Sequence, residues 1–176
     1  DATTGYHVWS QQYDRPLTDI FALQDEIVQK IVTTLKLQLT LEEQGWITRK
    51  HTDNLEAYDY FLRGVEYFNR YTQEANAQAR QMGEKAIALD PQYAEAYVLL
   101  GNTYYLEWDW RWNPNPQTLE SVFTMAQQAL ALDDSLPGSH ALLGIAYVQK
   151  QQYDQAVTEE DRAIALNPNN ASSYVT

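Results

Sequence analysis

The chain repeats one pattern of residues three times, and this internal repeat constrains its fold more than any other feature. The clearest copy runs for 34 residues, from Pro137 to Asn170, and its closing phrase spans residues 162–167. The two earlier copies close on nearly the same phrase, at residues 85–90 and 128–133. A unit of this size cannot bury an apolar face alone, so we expect successive copies to stack into a continuous array.

The spacing within each copy indicates a pair of helices. In the second copy, Leu100, Gly101 and Tyr104 follow Tyr97 by three, four and seven residues. This spacing places all four on one face of a helix. A glycine inside a helix costs about 1 kcal/mol relative to alanine, so Gly101 indicates a close approach of another helix. The pair Asp90-Pro91 ends the second helix of the first copy, because proline cannot continue the hydrogen-bond ladder.

The motif positions resemble the tetratricopeptide repeat, which carries a large residue, Leu-Gly, Tyr, Ala and a closing Pro over 34 residues. The resemblance implies an all-α helix-turn-helix solenoid over residues 54–176, with repeats at 57–93, 94–136 and 137–170. A truncated fourth repeat begins at 171, with Tyr174 in the large-residue place, so we expect the natural protein to continue past Thr176. In the third copy the matching residues are His140, Leu143, Gly144, Tyr147, Ala156, Ala163 and Pro168.

The first fifty residues do not follow the repeat. Residues 1–16 contain a predicted strand, Tyr6 to Ser10, which we interpret as the remnant of a larger upstream domain. Residues 17–53 are predicted to form connecting or capping helices and a linker: one amphipathic helix from Leu17 to Leu39, then a short helix after Thr40. The apolar stripe of the long helix contains Ile20, Phe21, Ile27, Val28, Ile31, Val32, Leu35 and Leu39.

A second resemblance covers this amino-terminal part. Residues 5–10, 13–15 and 19–27 are similar to the end of the TolB-like domain of bacterial multidomain regulators. In many of those proteins this domain joins a class III adenylate/guanylate cyclase domain to a tetratricopeptide array, and in others the partner is a winged-helix DNA-binding domain. The resemblance implies a regulatory region attached to a cyclase; the alternatives are the regulatory half of a transcription factor and a free-standing assembly adaptor. It carries over no catalytic residue.

Composition excludes several classes of function. The 176 residues include no cysteine, so neither a disulfide framework nor a thiolate metal site is available. The formal net charge of −12 opposes binding to nucleic-acid phosphates. No apolar run approaches 18 residues and no signal peptide is recognisable, so we expect no membrane contact by this segment and a cytoplasmic location.

We expect this segment to hold no catalytic, cofactor-binding or metal site, and therefore not to be an enzyme. Its three histidines, His7, His51 and His140, fall in three different predicted elements. His140 occupies the large-residue place of its repeat, which favours a packing role. The acidic runs at 42–43 and 159–161 are interpreted as solvated helix faces. No phosphate-binding loop, zinc-protease helix or nucleophile elbow is present.

The predicted function is binding of a protein or peptide on the concave side of the array. This surface is apolar and aromatic and lacks the cations by which some arrays clamp a peptide's carboxylate, so a helical or apolar segment is the expected ligand. The chain's own helix at 17–39 is an equal candidate for filling the groove, and a homodimer is also left open. The predicted lining is Tyr58, Phe61, Val65, Phe68 and Asn69; Val98, Asn102, Tyr105 and Leu106; and Ala141, Ile145, Val148 and Gln149.

The second copy is nine residues longer than the standard repeat, and its extra residues surround Trp108, Trp110 and Trp112. Clustered tryptophans are favoured at interface hot spots, which makes this insertion a candidate interface. The alternative is that the rings cover helix ends exposed by the lengthened turn, and we favour it because most buried tryptophan is structural. The first copy is three residues longer than the standard, near Tyr71 to Glu74.

Overall fold

The computed structural model describes residues 20–34 and 52–168, and these residues form seven α-helices and no strand. The all-α fold predicted from the repeat is therefore confirmed. The predicted strand Tyr6 to Ser10, the short helix after Thr40 and the start of the fourth copy at Ala171 lie outside the described residues. The helices are α1 (Ile20–Thr34), α2 (Leu55–Phe68), α3 (Gln73–Leu89), α4 (Ala94–Asp109), α5 (Pro116–Leu132), α6 (Pro137–Gln149) and α7 (Tyr153–Leu166).

The chain divides into two compact units, residues 1–50 and 51–176. The first unit contains α1, which is amphipathic: Ile27 and Val28 are partly buried, whereas Ala22 and Asp25 are exposed. The predicted helix from Leu17 to Leu39 is helical over Ile20–Thr34, and its two ends lie outside the described residues. None of the described helices has the length and apolar character needed to cross a membrane.

The second unit contains three helix pairs, α2–α3, α4–α5 and α6–α7, which correspond to the three sequence copies. Polar side chains begin several of these helices: Asn54 accepts hydrogen bonds from the backbone N–H groups of Glu56 and Ala57, both at 3.1 Å. The Asn54 side-chain amide also donates to the Leu89 carbonyl at 3.0 Å, which joins the start of α2 to the end of α3. As the Asp90-Pro91 pair predicts, α3 ends at Leu89.

Helices pack in the order of the chain. Each first helix packs against its own second helix, each second helix packs against the next first helix, and neighbouring first helices also touch. The glycines of the Leu-Gly pairs and their equivalents lie at these contacts: a Cβ atom on Gly64 would stand 2.6 Å from the Leu99 side chain of the next repeat. Gly101 receives Leu142 in the same way. These glycines let one repeat insert a leucine into its neighbour.

The first and second repeats meet through buried polar groups. Asn76 of α3 is almost fully buried and donates to the Thr103 carbonyl at 3.0 Å and to a Glu107 carboxylate oxygen at 3.4 Å. Glu107 is also ion-paired with Arg80, whose guanidinium lies 4.6 Å from the centre of the Tyr104 ring. A connected network of this kind stabilises the contact only while its members remain paired.

The second and third repeats meet through apolar and aromatic side chains instead. A buried cluster contains Val122, Ala126 and Leu142, and the rings of Phe123 and Tyr147 pack edge to face with centres 5.5 Å apart. The tyrosine of the motif therefore fills the space between repeats here, as Tyr104 does at the preceding contact. The two contacts use equivalent positions with different chemistry.

The extra residues of the second copy are spread over three elements. Helix α4 has 16 residues where α6 has 13, and α5 has 17 where α7 has 14. The turn between α4 and α5 covers 110–115, whereas the turn between α6 and α7 covers 150–152. The insertion therefore lengthens both helices of the pair as well as their connection, and it places Trp108 in the last turn of α4.

Candidate protein-binding groove and tryptophan turn

The residues predicted to line the groove lie on the three first helices, α2, α4 and α6, or at their carboxyl ends. Most are partly exposed, and Asn69 and Gln149 are exposed. Leu106 differs, because it is only 6 % exposed and offers almost no surface to a ligand. The groove assignment stays a prediction. The partly exposed members are Tyr58, Phe61, Val65, Phe68, Val98, Asn102, Tyr105, Ala141, Ile145 and Val148.

Several of these side chains are held in place by neighbours within the array. The Phe61 ring packs against that of Tyr93, with ring centres 5.0 Å apart. Val98 lies against Gly138 at the start of α6, where a Cβ atom would stand 3.1 Å from a Val98 methyl group. Tyr105 packs against the buried cluster around Leu142. The surface is therefore supported by packing between repeats.

The predicted groove surface has no positively charged side chain. None of the predicted lining residues is a lysine or an arginine. Burial, with the nearby Asp109 carboxylate as a second cause, raises the pKa of Tyr105, so this phenol stays neutral at physiological pH. The residues present an uncharged aromatic and aliphatic surface, with acidic Asp109 beside it.

Among the described residues, Tyr93 is the largest fully buried side chain, and sequence reasoning did not single it out. It precedes α4 and packs among Ala57, Ala86 and Ala96. Burial is the main cause that raises the pKa of its phenol far above the ordinary value, and the acidic Glu95 adds to the effect. Within the described residues its hydroxyl has no hydrogen-bond partner. The one sequence signal for burial of Tyr93 is its position directly before the first helix of a repeat.

The tryptophan turn, residues 108–112, contacts both the first and the third repeat. The Trp108 indole donates a hydrogen bond of 3.2 Å to the Gln149 side chain, which links the second repeat to the third. The Trp110 ring is 48 % exposed and packs edge to face against Trp112, with ring centres 5.1 Å apart. Trp110 also stacks on Tyr71 of the first repeat at 6.3 Å. Neither the interface interpretation nor the interpretation as a cover for helix ends accounts for all three tryptophan rings.

His140 has a structural role. It is 9 % exposed, and its Nδ1 lies 2.7 Å from a Glu159 carboxylate oxygen while its Nε2 lies 2.9 Å from the Asp134 carbonyl. These contacts tie α6 to α7 and to the preceding turn. The interpretation of residues 159–161 as solvated is wrong for Glu159 and Glu160, which are partly buried because they face His140 and Gly144. His7 and His51 lie outside the described residues.

In the part of the chain that the structure describes, no three histidine, aspartate or glutamate side chains are grouped so as to hold a metal ion. The acidic and basic side chains of the array are instead used in pairs, as in Arg63 with Asp59 at 2.9 Å and Lys150 with Glu120 at 3.1 Å. These pairs are surface and packing contacts.

Comparison with known proteins supports the fold. The first tetratricopeptide repeat domain of Spaghetti (RPAP3), solved with the HSP90 peptide SRMEEVD, superposes with a TM-score of 0.56 and 21 % identity, covering 72 % of this chain and 90 % of that one. The fold is tetratricopeptide-like. This likeness shows the fold alone.

Two curated proteins resemble the sequence. "Putative adenylate cyclase 3" of Rhizobium meliloti (strain 1021) is 34 % identical over 157 residues, which is 89 % of this chain and 27 % of that protein. Anaphase-promoting complex subunit 8 of Arabidopsis thaliana is 26 % identical over 136 residues, which is 72 % of this chain and 22 % of that protein. The chain thus spans about a quarter of the length of these relatives. No protein-family model matches it.

Proposed function

We propose that the chain is a protein-interaction scaffold that binds an apolar, helical segment of a partner along its first helices. The observation that carries the proposal is the set of partly exposed aromatic and aliphatic side chains on α2, α4 and α6, which includes no cation. An amphipathic helix binds a groove by laying its apolar face into it, with anchors three, four and seven residues apart. The proposed groove offers successive rows of such contacts.

The packing of the array supports the location of this groove. Neighbouring first helices make more extensive contacts with each other than neighbouring second helices do. In a stack of helix pairs, the helices that approach each other most closely lie on the inner side of its curvature. This packing supports a ligand site formed together by the side chains of α2, α4 and α6 that face neither their own second helix nor the next repeat.

Charge argues against an acidic ligand. The peptide SRMEEVD, bound by the structurally similar domain, carries three carboxylate side chains and belongs to that protein's site. In this chain several cations of the array are engaged in ion pairs: Arg70 with Glu66, Arg80 with Glu107, and Lys150 with Glu120. The net charge of −12 opposes an acidic peptide further, and it opposes nucleic acid for the same reason.

The proposed context is regulation of a bacterial signalling protein in the cytoplasm, with an adenylate or guanylate cyclase as the attached output. The sequence likeness to "Putative adenylate cyclase 3" supports this context, because it covers both the amino-terminal part and most of the repeats. The alternatives are a winged-helix transcription factor and a free-standing adaptor. The complete reading frame distinguishes them: a cyclase adds paired metal-binding aspartates, and a winged helix adds a basic recognition helix.

The binding proposal is tested with two labelled peptides and the 176-residue chain. One peptide is a helix with a leucine stripe and uncharged polar residues elsewhere, and the other is SRMEEVD. We expect saturable binding of the leucine-stripe peptide in fluorescence anisotropy and none of SRMEEVD. Because Val65 is a central, partly buried lining residue, Val65→Glu should weaken binding by about tenfold or more, the effect of burying an unpaired charge at the contact.

The matched control is Val157→Glu on α7, which makes the same chemical change at a residue 60 % exposed and outside the groove. It should leave the affinity unchanged. Binding of SRMEEVD in preference to the leucine-stripe peptide would overturn the proposal, as would equal loss of binding in both variants.

A further inference from the structure

Four aromatic rings form a continuous row across the first two repeats, and we call it the aromatic ridge: Phe68, Tyr71, Trp110 and Trp112. Adjacent ring centres are 5.8 Å apart from Phe68 to Tyr71, 6.3 Å from Tyr71 to Trp110 and 5.1 Å from Trp110 to Trp112. The ridge joins the turn after α2 to the turn after α4. Phe68 is also a predicted groove residue, so the ridge is continuous with the proposed groove.

The middle of the ridge is open to solvent. Tyr71 is 51 % exposed and Trp110 is 48 % exposed, although burial of rings of this size is a major source of stability. The two rings are stacked, with planes 24° apart. The ridge thus presents two large, nearly parallel ring systems at the surface. The packing of the array does not account for this exposure.

Elsewhere in the array, four aromatic rings each carry a cation of the chain on one face. On the ridge, no lysine or arginine lies over Tyr71 or Trp110 within the described residues. These two exposed rings are therefore available to a cation from outside. The four covered rings and their cations are Tyr60 with Lys85, Tyr67 with Arg70, Tyr104 with Arg80 and Phe123 with Lys150.

A carboxylate neighbours the ridge in the sequence. Asp109 immediately precedes Trp110, is exposed and has no ion pair in the described part of the chain. With Trp108, Pro114 and Gln149 it lines a cleft of about 170 Å³. Arg111 lines the same cleft, yet no ion pair joins it to Asp109 among the described residues. The net charge of −12 favours a cationic partner over an acidic one.

We propose that the aromatic ridge is a docking surface for an arginine-bearing segment of a partner protein. The guanidinium stacks on the exposed faces of Tyr71 and Trp110, and Asp109 supplies the carboxylate that it reaches. Arginine fits better than lysine because its planar, weakly hydrated guanidinium stacks on aromatic faces, whereas a lysine ammonium is compact and strongly hydrated. This surface meets the proposed groove at Phe68 but is centred on Tyr71 and Trp110, which are not groove residues, so either surface can bind without the other.

The test uses the 176-residue chain and labelled peptides of four Gly-Arg units, with Gly-Lys and Gly-citrulline peptides of the same length. At about 0.15 M salt, exposed charges more than about 8 Å apart are largely screened, which suppresses diffuse attraction. We expect the arginine peptide to bind most tightly and the uncharged citrulline peptide not to bind. The double variant Tyr71→Leu with Trp110→Leu should weaken binding by about fivefold to thirtyfold, and Asp109→Asn by about twofold to fivefold.

Tyr153→Leu is the matched control, because Tyr153 is 61 % exposed on α7 and lies outside the ridge. It should leave binding unchanged. The citrulline and Asp109→Asn comparisons retain every ring, so they test the proposal even if the double variant unfolds. Equal binding to wild type and the ridge variants, equal binding of the citrulline peptide, or no binding at millimolar peptide would each overturn it. A wild-type dimer that the double variant dissociates in sedimentation would show a self-interface instead.

Discussion

Burial of Tyr93 has two opposite effects on the stability of the fold. Its ring fills the space between the first and second repeats, yet its hydroxyl has no partner among the described residues. An unsatisfied buried polar group costs about 1 to 3 kcal/mol, which opposes the gain from burying the ring. The same burial keeps the phenol neutral, because it raises the pKa far above the ordinary value.

The Tyr93→Phe variant should therefore be as stable as wild type at neutral pH, or more stable by about 1 kcal/mol, because it keeps the ring and removes the unsatisfied group. At alkaline pH the two should diverge. The unfolded chain ionises this phenol near its ordinary pKa of about 10, and the folded chain does so only at higher pH. The contribution of Tyr93 to the free energy of unfolding is thus fully present below about pH 10. Above pH 10 it falls by about 1.4 kcal/mol per pH unit.

Chemical denaturation at pH 7 and again at pH 11 measures both effects. The variant should lose less free energy of unfolding between these pH values than wild type does. Tyr153→Phe, which changes an exposed phenol, should behave as wild type does. A parallel decline of Tyr93→Phe and wild type would show that burial of Tyr93 does not control the alkaline transition.

At the scale of the helix, the function of α1 is inferred from its sequence pattern. Its apolar stripe is wider than one packing contact needs, and the terminal repeat of an array requires cover to stay soluble. We therefore predict that α1 docks on the first repeat and caps the array. Burying a side chain such as Ile27 or Ile31 is worth roughly 1.5 to 3 kcal/mol.

The double variant Ile27→Asp with Ile31→Asp should lower the stability of the whole chain by several kcal/mol, about the sum of two such burials. It should also increase the binding of an apolar-surface dye. Ala22→Asp places the same charge on α1 outside its apolar stripe and should do neither. Thermal melting with dye fluorescence reads both quantities. If the double variant melts as wild type does, α1 is a connecting segment that does not cap the repeats.

The elements themselves were predictable from the sequence because their signals are local. The Asp90-Pro91 pair fixed the end of α3, and the Leu-Gly positions located the close contacts at Gly101 and Gly144. What covers each glycine was not predictable. Leu142 of the next repeat reaches Gly101, whereas Glu160 of the same repeat reaches Gly144. Such partners depend on the angle between helices, which residue spacing does not specify.

The candidate surfaces were predictable in part. Repeat positions placed the proposed lining on the first helices, but they did not show that Leu106 is buried. The tryptophans stood out by composition, yet their partner Tyr71 belongs to another repeat and carries no motif signal. It adopts a left-handed backbone conformation, with a φ of 50°, which is unusual for a bulky residue and would not be expected from its sequence context.

Across the whole molecule, the two contacts between repeats differ in chemistry. The first depends on the buried Asn76, Arg80 and Glu107 network, and the second on apolar packing around Val122 and Phe123. The stability of such an array is approximately the sum of its repeats and their contacts. Because losing one member of a buried ionic network leaves the others unpaired, the first contact is the more sensitive to single substitutions.

We propose that the first helices of the three repeats together form a binding surface for an apolar helix. Nuclear magnetic resonance mapping of the labelled chain with the unlabelled leucine-stripe peptide tests it most directly. We expect saturable shifts in the backbone amides of Val65, Asn102 and Ile145, one position on each of α2, α4 and α6. Shifts confined to α3, α5 and α7, or no shifts at saturating peptide, would contradict it.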